Sequence, residues 1–137
     1  MHTPVLTVKP IGYIQRTEKP GKGVDELRSA PAEIVVNPEL TAGLEGIEHY
    51  RKLVVIFYCH ETKGSPLRVH PRGDLNRQPR GVFATRSPAR PNPLGLTVVS
   101  LQRVQGNVLQ VKGLDALDNT PVLDIKPFNQ TFDTGEE

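Results

Sequence analysis

The amino-acid sequence predicts a mainly β domain, an antiparallel barrel or sandwich with one short helix. Two observations carry that prediction. Short runs rich in Val, Ile, Phe and Tyr are separated by connections rich in Gly and Pro, and their apolar alternation is the pattern of strands. Repeated strand–helix–strand crossovers are absent, which argues against a parallel sheet. At 137 residues the chain has the length of one domain, 1–137, with a core of its own.

The elements follow in order. IGYIQ (11–15) and AEIVV (32–36) read as strands. Between them, RTEKPGKGVDELRSAP (16–31) is polar and long for an idle connection, which suggests a binding or lid role for this segment. NPELTAGLEGIEHY (37–50) reads as one short helix. Asn37 suits the N-cap, Pro38 the first helical position and Glu39 the helix dipole. Leu40, Leu44 and Ile47 share an apolar face, while Gly43 and Gly46 weaken the helix. KLVVIFYCH (52–60) is the longest apolar run and predicts a central strand buried on both faces. LRVHP and GVFAT are shorter strand candidates. GLTVVSLQRVQ and NVLQVKGLD form a hairpin turning near Gly106-Asn107. TPVLDIKPF starts and ends near prolines, as an edge or end strand does.

No run of about 18 apolar residues is present to span a membrane as a helix. The N-terminal MHTPVLTVKP lacks the layout of a secretory signal. Cys59, the single cysteine, has no intrachain disulfide partner, which predicts a cytoplasmic protein. The terminal TFDTGEE (131–137) reads as a solvated acidic tail.

The net charge is only +2, but it is unevenly spread. From Lys63 to Arg90, seven basic residues (Lys63, Arg68, Arg72, Arg77, Arg80, Arg86, Arg90) stand against one acid, Asp74. Such a segment points to an anionic partner, phosphate or nucleic acid, or to a solvated basic loop, and charge alone leaves both open. There is no G-x-G-x-x-G, P-loop or G-x-S-x-G pattern. His2, His49, His60, His70 and Cys59 lack zinc-site spacing, so no metal is expected.

Three constellations remain. RGVFATRSPARPNPLG (80–95) holds Pro88, Pro91 and Pro93, which stiffen the loop and aim Arg86 and Arg90. Guanidinium groups suit carboxylate or phosphate, although internal ion pairing is the bland alternative. GLDALDNTPVLDIKPF (113–128) offers Asp115, Asp118, Asp124 and Lys126. Asp118-Asn119 suit a turn and Asp124–Lys126 a salt bridge, which leaves Asp115 least explained by structure. In FYCHETKGSPLRVHPRGD (57–74), His60 and Glu61 end the longest apolar strand, where pockets often open. Arg72, Asp74, Arg77 and Arg80 suit an exposed loop against a nucleic-acid backbone. Tyr13 and Tyr58 could stack a base, but single aromatics on strands are usually core.

RGVFATRSPARPNPLGLTVVSL and GLDALDNTPVLDIKPF, with IGYI, GLEGIEHYRKLVVIFYCHE and LRVHPRGD, resemble the TrmO-like (TsaA-like) tRNA methyltransferases over Pro10 to Phe128. The resemblance implies a TsaA-like antiparallel β-barrel, unlike the doubly wound methyltransferases. It implies an S-adenosyl-L-methionine-dependent enzyme methylating N6 of threonylcarbamoyladenosine at tRNA position 37, and a homodimer with cofactor sites near the subunit interface. By motif position it assigns cofactor contacts to His60, Glu61, Arg86, Leu96, Gly113, Leu114 and Asp115, with Val24, Asp25 and Glu26 added from the preceding loop. GKGVDELRS departs here from the Arg-Gln-rich family pattern. Asp115 and Asp118 become candidate acceptors for the reacting amine or cofactor polar groups, and Arg90 and Asn92 candidate substrate contacts. Some members carry a C-terminal extension; here the expected tRNA grip comes from barrel, basic loop and dimer partner. Two rival readings are a non-catalytic RNA-binding module and an S-adenosyl-L-methionine-binding protein with a non-tRNA substrate.

Overall fold

The computed structural model describes residues 3–18, 20–21 and 23–136. Lys19 and Lys22 of the first connection, His2, and Glu137 of the tail lie outside the described residues. Among the described residues eight strands form: β1 (Gly12–Gln15), β2 (Ala32–Val36), β3 (Lys52–Tyr58), β4 (Arg68–Val69), β5 (Arg80–Gly81), β6 (Leu94–Gln105), β7 (Val108–Lys112) and β8 (Pro121–Pro127). Six of them close a barrel in the order β1-β2-β7-β6-β3-β8, and β4 and β5 form a separate two-stranded ribbon. All pairings are antiparallel. The antiparallel β-barrel expectation therefore holds.

Alternation determines the core. In β1 the inward residues are Gly12 and Ile14, and Arg16 continues that parity just past the strand. Ile34, Leu53, Val55, Val99, Leu109, Val111 and Val122 fill the interior with 1% exposure or less. Each contributes about 1.5–3 kcal/mol by leaving water. Two glycines allow close approaches. A Cβ on Gly12 would lie 2.2 Å from the Val35 carbonyl oxygen, and one on Gly95 would lie 2.3 Å from the Phe57 ring. The β6–β7 hairpin turns where expected, with Gly106 at φ 61°.

Four local expectations are corrected. Residues 37–50 form two 3-10 turns, Pro38–Leu44 and Ile47–His49, rather than one helix. Gly46, left-handed at φ 87°, separates them. Of GVFAT only Gly81 is in a strand, and Val82–Ala84 is a 3-10 turn. β8 is not an edge: it pairs with both β1 and β3 and completes the ring. Its prolines sit at its first and last positions, where a missing N–H costs the ladder least. The C-terminal segment is not simply a solvated tail. It forms a helix, α2 (Gln130–Thr134), in which Asn129 Oδ1 accepts from Phe132 N and Asp133 Oδ2 accepts from Asn129 N. A further helix, α1 (Val24–Ser29), occupies the predicted lid segment. No helix among the described residues is long and apolar enough to cross a membrane.

Candidate active site at the barrel mouth

α1, the turn after β3 and the loop after β7 meet at one end of the barrel. They surround a cavity of about 230 Å³. Val24 and Leu27 line it from α1, Phe57 from the end of β3, and Cys59, His60 and Glu61 from the turn that follows. Asp115 and Leu117 close the opposite wall, and Pro88 reaches it from the proline-rich loop. A larger concavity of about 430 Å³ is lined by Arg28, Arg86, Leu96 and Thr97, with Phe128 and Asp133 at its C-terminal side.

Asp115 connects the two hollows. Thr97 Oγ1 donates to its Oδ1 at 2.5 Å, and Arg28 Nη2 lies 3.4 Å from its Oδ2. Arg28 and Thr97 line the larger concavity, while Asp115 lines the smaller one. The Arg28 pair is half exposed and long, so it adds little stability alone. Together with the Thr97 bond, however, it restricts how the carboxylate can turn.

Arg16 holds this arrangement in place. Its side chain is 5% exposed. Nε and Nη2 donate to the Ala116 carbonyl, Nη2 also to Leu114, and Nη1 to Leu27 at 3.2 Å. The guanidinium thus ties α1 to the loop that carries Asp115. Burial lowers its pKa, against the opposing fields of Asp118 and Asp115. Carbonyl dipoles rather than a direct salt bridge satisfy the charge, which suits a planar five-donor group. Gly113 adds a second tether: its N–H donates to the Arg28 carbonyl at 3.1 Å, with φ at 100°.

The assigned residues divide into groups. His60, Glu61, Val24 and Asp115 gather around the smaller cavity, and Arg86 and Leu96 line the larger. Arg86 Nη2 also donates to the Leu96 carbonyl at 2.7 Å, pinning the stiff loop to β6. Leu114 is fully buried, so its side chain belongs to the core. Asp25 and Glu26 lie exposed on α1, outside the residues lining either hollow. Asp118 Oδ1 accepts from Arg16 N at 2.8 Å and braces the loop. Arg90 donates to the Thr85 and Ser87 carbonyls, and exposed Asn92 accepts from Leu94 N. Asp124 and Lys126 pair at 3.2 Å, as strand spacing suggests. Burial pushes the Cys59 thiol up, Asp115 reinforces this and Arg90 opposes it, so the thiol stays protonated at neutral pH. Among the described residues no group of His, Cys, Asp and Glu is arranged to hold a metal.

Arg16, Thr97 and Arg28 were missed at the level of sequence. Strand parity offered a signal for one: Arg16 continues the inward series after Gly12 and Ile14, where a charge needs a partner.

Comparison with known proteins decides the family. Residues 11–134 match the model of the tRNA-methyltransferase O N-terminal domain. The chain belongs to this family. A probable S-adenosyl-L-methionine-binding protein of Methanothermobacter thermautotrophicus is 40% identical to this TrmO-family chain over 134 residues, 94% of each protein. A tRNA (adenine(37)-N6)-methyltransferase of Mus musculus is 34% identical over 141 residues, 94% of this chain but 32% of the mouse protein. The crystal structure of TrmO from Pseudomonas aeruginosa superimposes with a TM-score of 0.75 at 33% identity, covering 95% of this chain and 59% of that one. The TrmO-family chain thus spans less than two thirds of that solved structure.

Proposed function

We propose that this TrmO-family domain transfers a methyl group from S-adenosyl-L-methionine to N6 of threonylcarbamoyladenosine at position 37 of tRNA. The observation that carries the reading is the anchored carboxylate of Asp115 in a largely apolar cavity of a TrmO-family barrel.

The residues fit the cofactor's chemistry. An adenine ring needs apolar walls, which Val24, Leu27, Phe57 and Leu117 offer. Ribose hydroxyls and an ammonium need acceptors, which Asp115 and Glu61 can supply. A carboxylate needs a cation, available at Arg86 and Arg28 of the neighbouring concavity. Bound there, the cofactor supplies an electrophilic methyl group on a cationic sulfur. The chain's own part is chiefly to position. Thr97 and Arg28 aim the Asp115 carboxylate, which accepts a hydrogen bond from the reacting amine or the cofactor. Asp118, committed to Arg16 N, acts through the loop instead. Arg90 and Asn92 shape the loop that presents Arg86.

The domain works as a homodimer in the cytoplasm. The 230 Å³ cavity is smaller than the ~300–1,000 Å³ usual for ligand sites. Leu94, Leu96 and Val98 stand 48%, 46% and 39% exposed on the outer face of β6, with Leu96 and Val98 in the wall of the larger concavity, an apolar stripe suited to a second copy that extends the site. Cys59, a free thiol, fits a reducing compartment.

The test is isotope-labelled methyl transfer to tRNA carrying threonylcarbamoyladenosine, followed by nucleoside mass spectrometry. Methyl on N6 of that nucleoside supports the reading. Cofactor binding with no methyl in any tRNA would favour a donor-binding protein with another substrate, a reading that the name of the Methanothermobacter relative keeps in view.

A further inference from the structure

We propose that the β4–β5 ribbon, with the Phe83 turn at its base, is an RNA-holding arm. In this proposal Arg68, Arg72, Arg77 and Arg80 grip phosphates near the anticodon, and Phe83 stacks on one unpaired base. The proposal rests on the tRNA-methylating reading above.

The ribbon is a separate sheet outside the barrel. Arg68 pairs with Gly81 and Val69 with Arg80, so the two arginines project from opposite faces. Arg72 and Arg77 occupy the connection between the strands, which His70 Nδ1 and the Arg77 carbonyl bridge at 2.9 Å. All four arginines are exposed, and no ion pair among the described residues neutralises any of them. Asp74, the acid of this segment, accepts from the Asn76 backbone N–H. Cations distributed over both faces and the tip of a ribbon match a polyanion better than a single phosphate, which requires convergent donors.

Two further features point the same way. Arg72 is left-handed at φ 54°, followed by Gly73 at 70°. Glycine or asparagine would hold that conformation at less cost, so the arginine side chain has a use there. Phe83 is 77% exposed, an arrangement that burial cannot explain but base stacking can. The arm is also anchored and correctly placed. Val82 is 1% exposed and its N–H donates to the Leu67 carbonyl. Chain continuity then leads from Phe83 to Arg86 and Pro88, which line the two hollows of the site.

The test compares unaltered protein with R72Q/R77Q/R80Q, Phe83→Ala and Phe83→Trp. It uses fluorescence anisotropy with tRNA over a salt series, and calorimetry with S-adenosyl-L-methionine. The triple variant is expected to bind tRNA at least about tenfold more weakly, with a salt slope smaller by roughly 2–3, since each lost phosphate contact removes ~0.7–0.9. Phe83→Ala should weaken binding by roughly tenfold and Phe83→Trp should retain it. Cofactor affinity should not change. If the variants bind tRNA as tightly as the unaltered protein, with the same slope, the arm is overturned while the methyl-transfer reading stands. If Phe83→Ala instead changes the mass by light scattering at constant tRNA affinity, the surface is a protein interface and the proposal fails. If the unaltered protein binds no tRNA, both readings fall.

Discussion

The Asp115 carboxylate is held at both oxygens by residues from different elements, Thr97 on β6 and Arg28 on α1. Asp115→Asn keeps the shape but weakens the acceptor, so kcat for methyl transfer should fall by about 10²-fold or more. Thr97→Val should cost roughly tenfold, the scale of one lost hydrogen bond. Single-turnover kinetics at saturating cofactor checks both. Arg16 makes a different prediction. Arg16→Met leaves the carbonyls of Leu27, Leu114 and Ala116 without this donor and should lower stability by about 3–5 kcal/mol, measured by urea unfolding. Arg16→Lys should recover only part, lacking the planar fork. Cys59 supplies a pH-dependent test. Its raised pKa means the folded chain holds the thiol proton more tightly than the unfolded chain. Its contribution to stability is therefore complete below the unfolded thiol's pKa of about 8.5, and is lost as pH rises through the higher folded value. Alkylation should be slow at neutral pH, rise in alkali, and be suppressed when S-adenosyl-L-methionine fills the cavity that Cys59 lines.

At the scale of elements, local signals located the strands. β2 forms at the bounds that AEIVV suggested, and the β6–β7 hairpin turns at Gly106-Asn107. What escaped depended on distant contacts or on short, weak signals. β8 resembles an edge strand until β1, more than a hundred positions away, pairs with it. α1 has six residues and buries only Leu27, so it shows no apolar period. Its position comes instead from Arg16 and Gly113. The site divides in the same way. Motif resemblance pointed to His60, Glu61, Arg86 and Asp115, which line the two hollows, while the part Arg16 plays depends on carbonyls 98 and 100 residues away. Gly95 links an element to the cavity. Gly95→Ala would press a Cβ against the Phe57 ring, and should cost ~1–3 kcal/mol and weaken cofactor binding together. Parallel unfolding and calorimetry would detect both effects.

At the scale of the whole molecule, the closed barrel supplies a rigid frame, with the smaller cavity at its mouth and the basic two-stranded ribbon outside it; these are the two places where the proposed chemistry and the proposed RNA contact would sit. The proposed homodimer would use the exposed apolar stripe on β6. Leu94→Glu should shift the mass seen by light scattering from dimer to monomer and lower cofactor affinity with it. Methyl transfer at the barrel mouth, as proposed, has a direct assay. The most direct measurement supplies labelled S-adenosyl-L-methionine and tRNA containing threonylcarbamoyladenosine to the unaltered protein and to Asp115→Asn, and quantifies methylated nucleosides by mass spectrometry. Label on N6 of threonylcarbamoyladenosine with the unaltered protein, reduced about a hundredfold or more in the variant, is the predicted result. Cofactor bound by the unaltered protein without any methylated nucleoside, or equal methylation by both proteins, would contradict it.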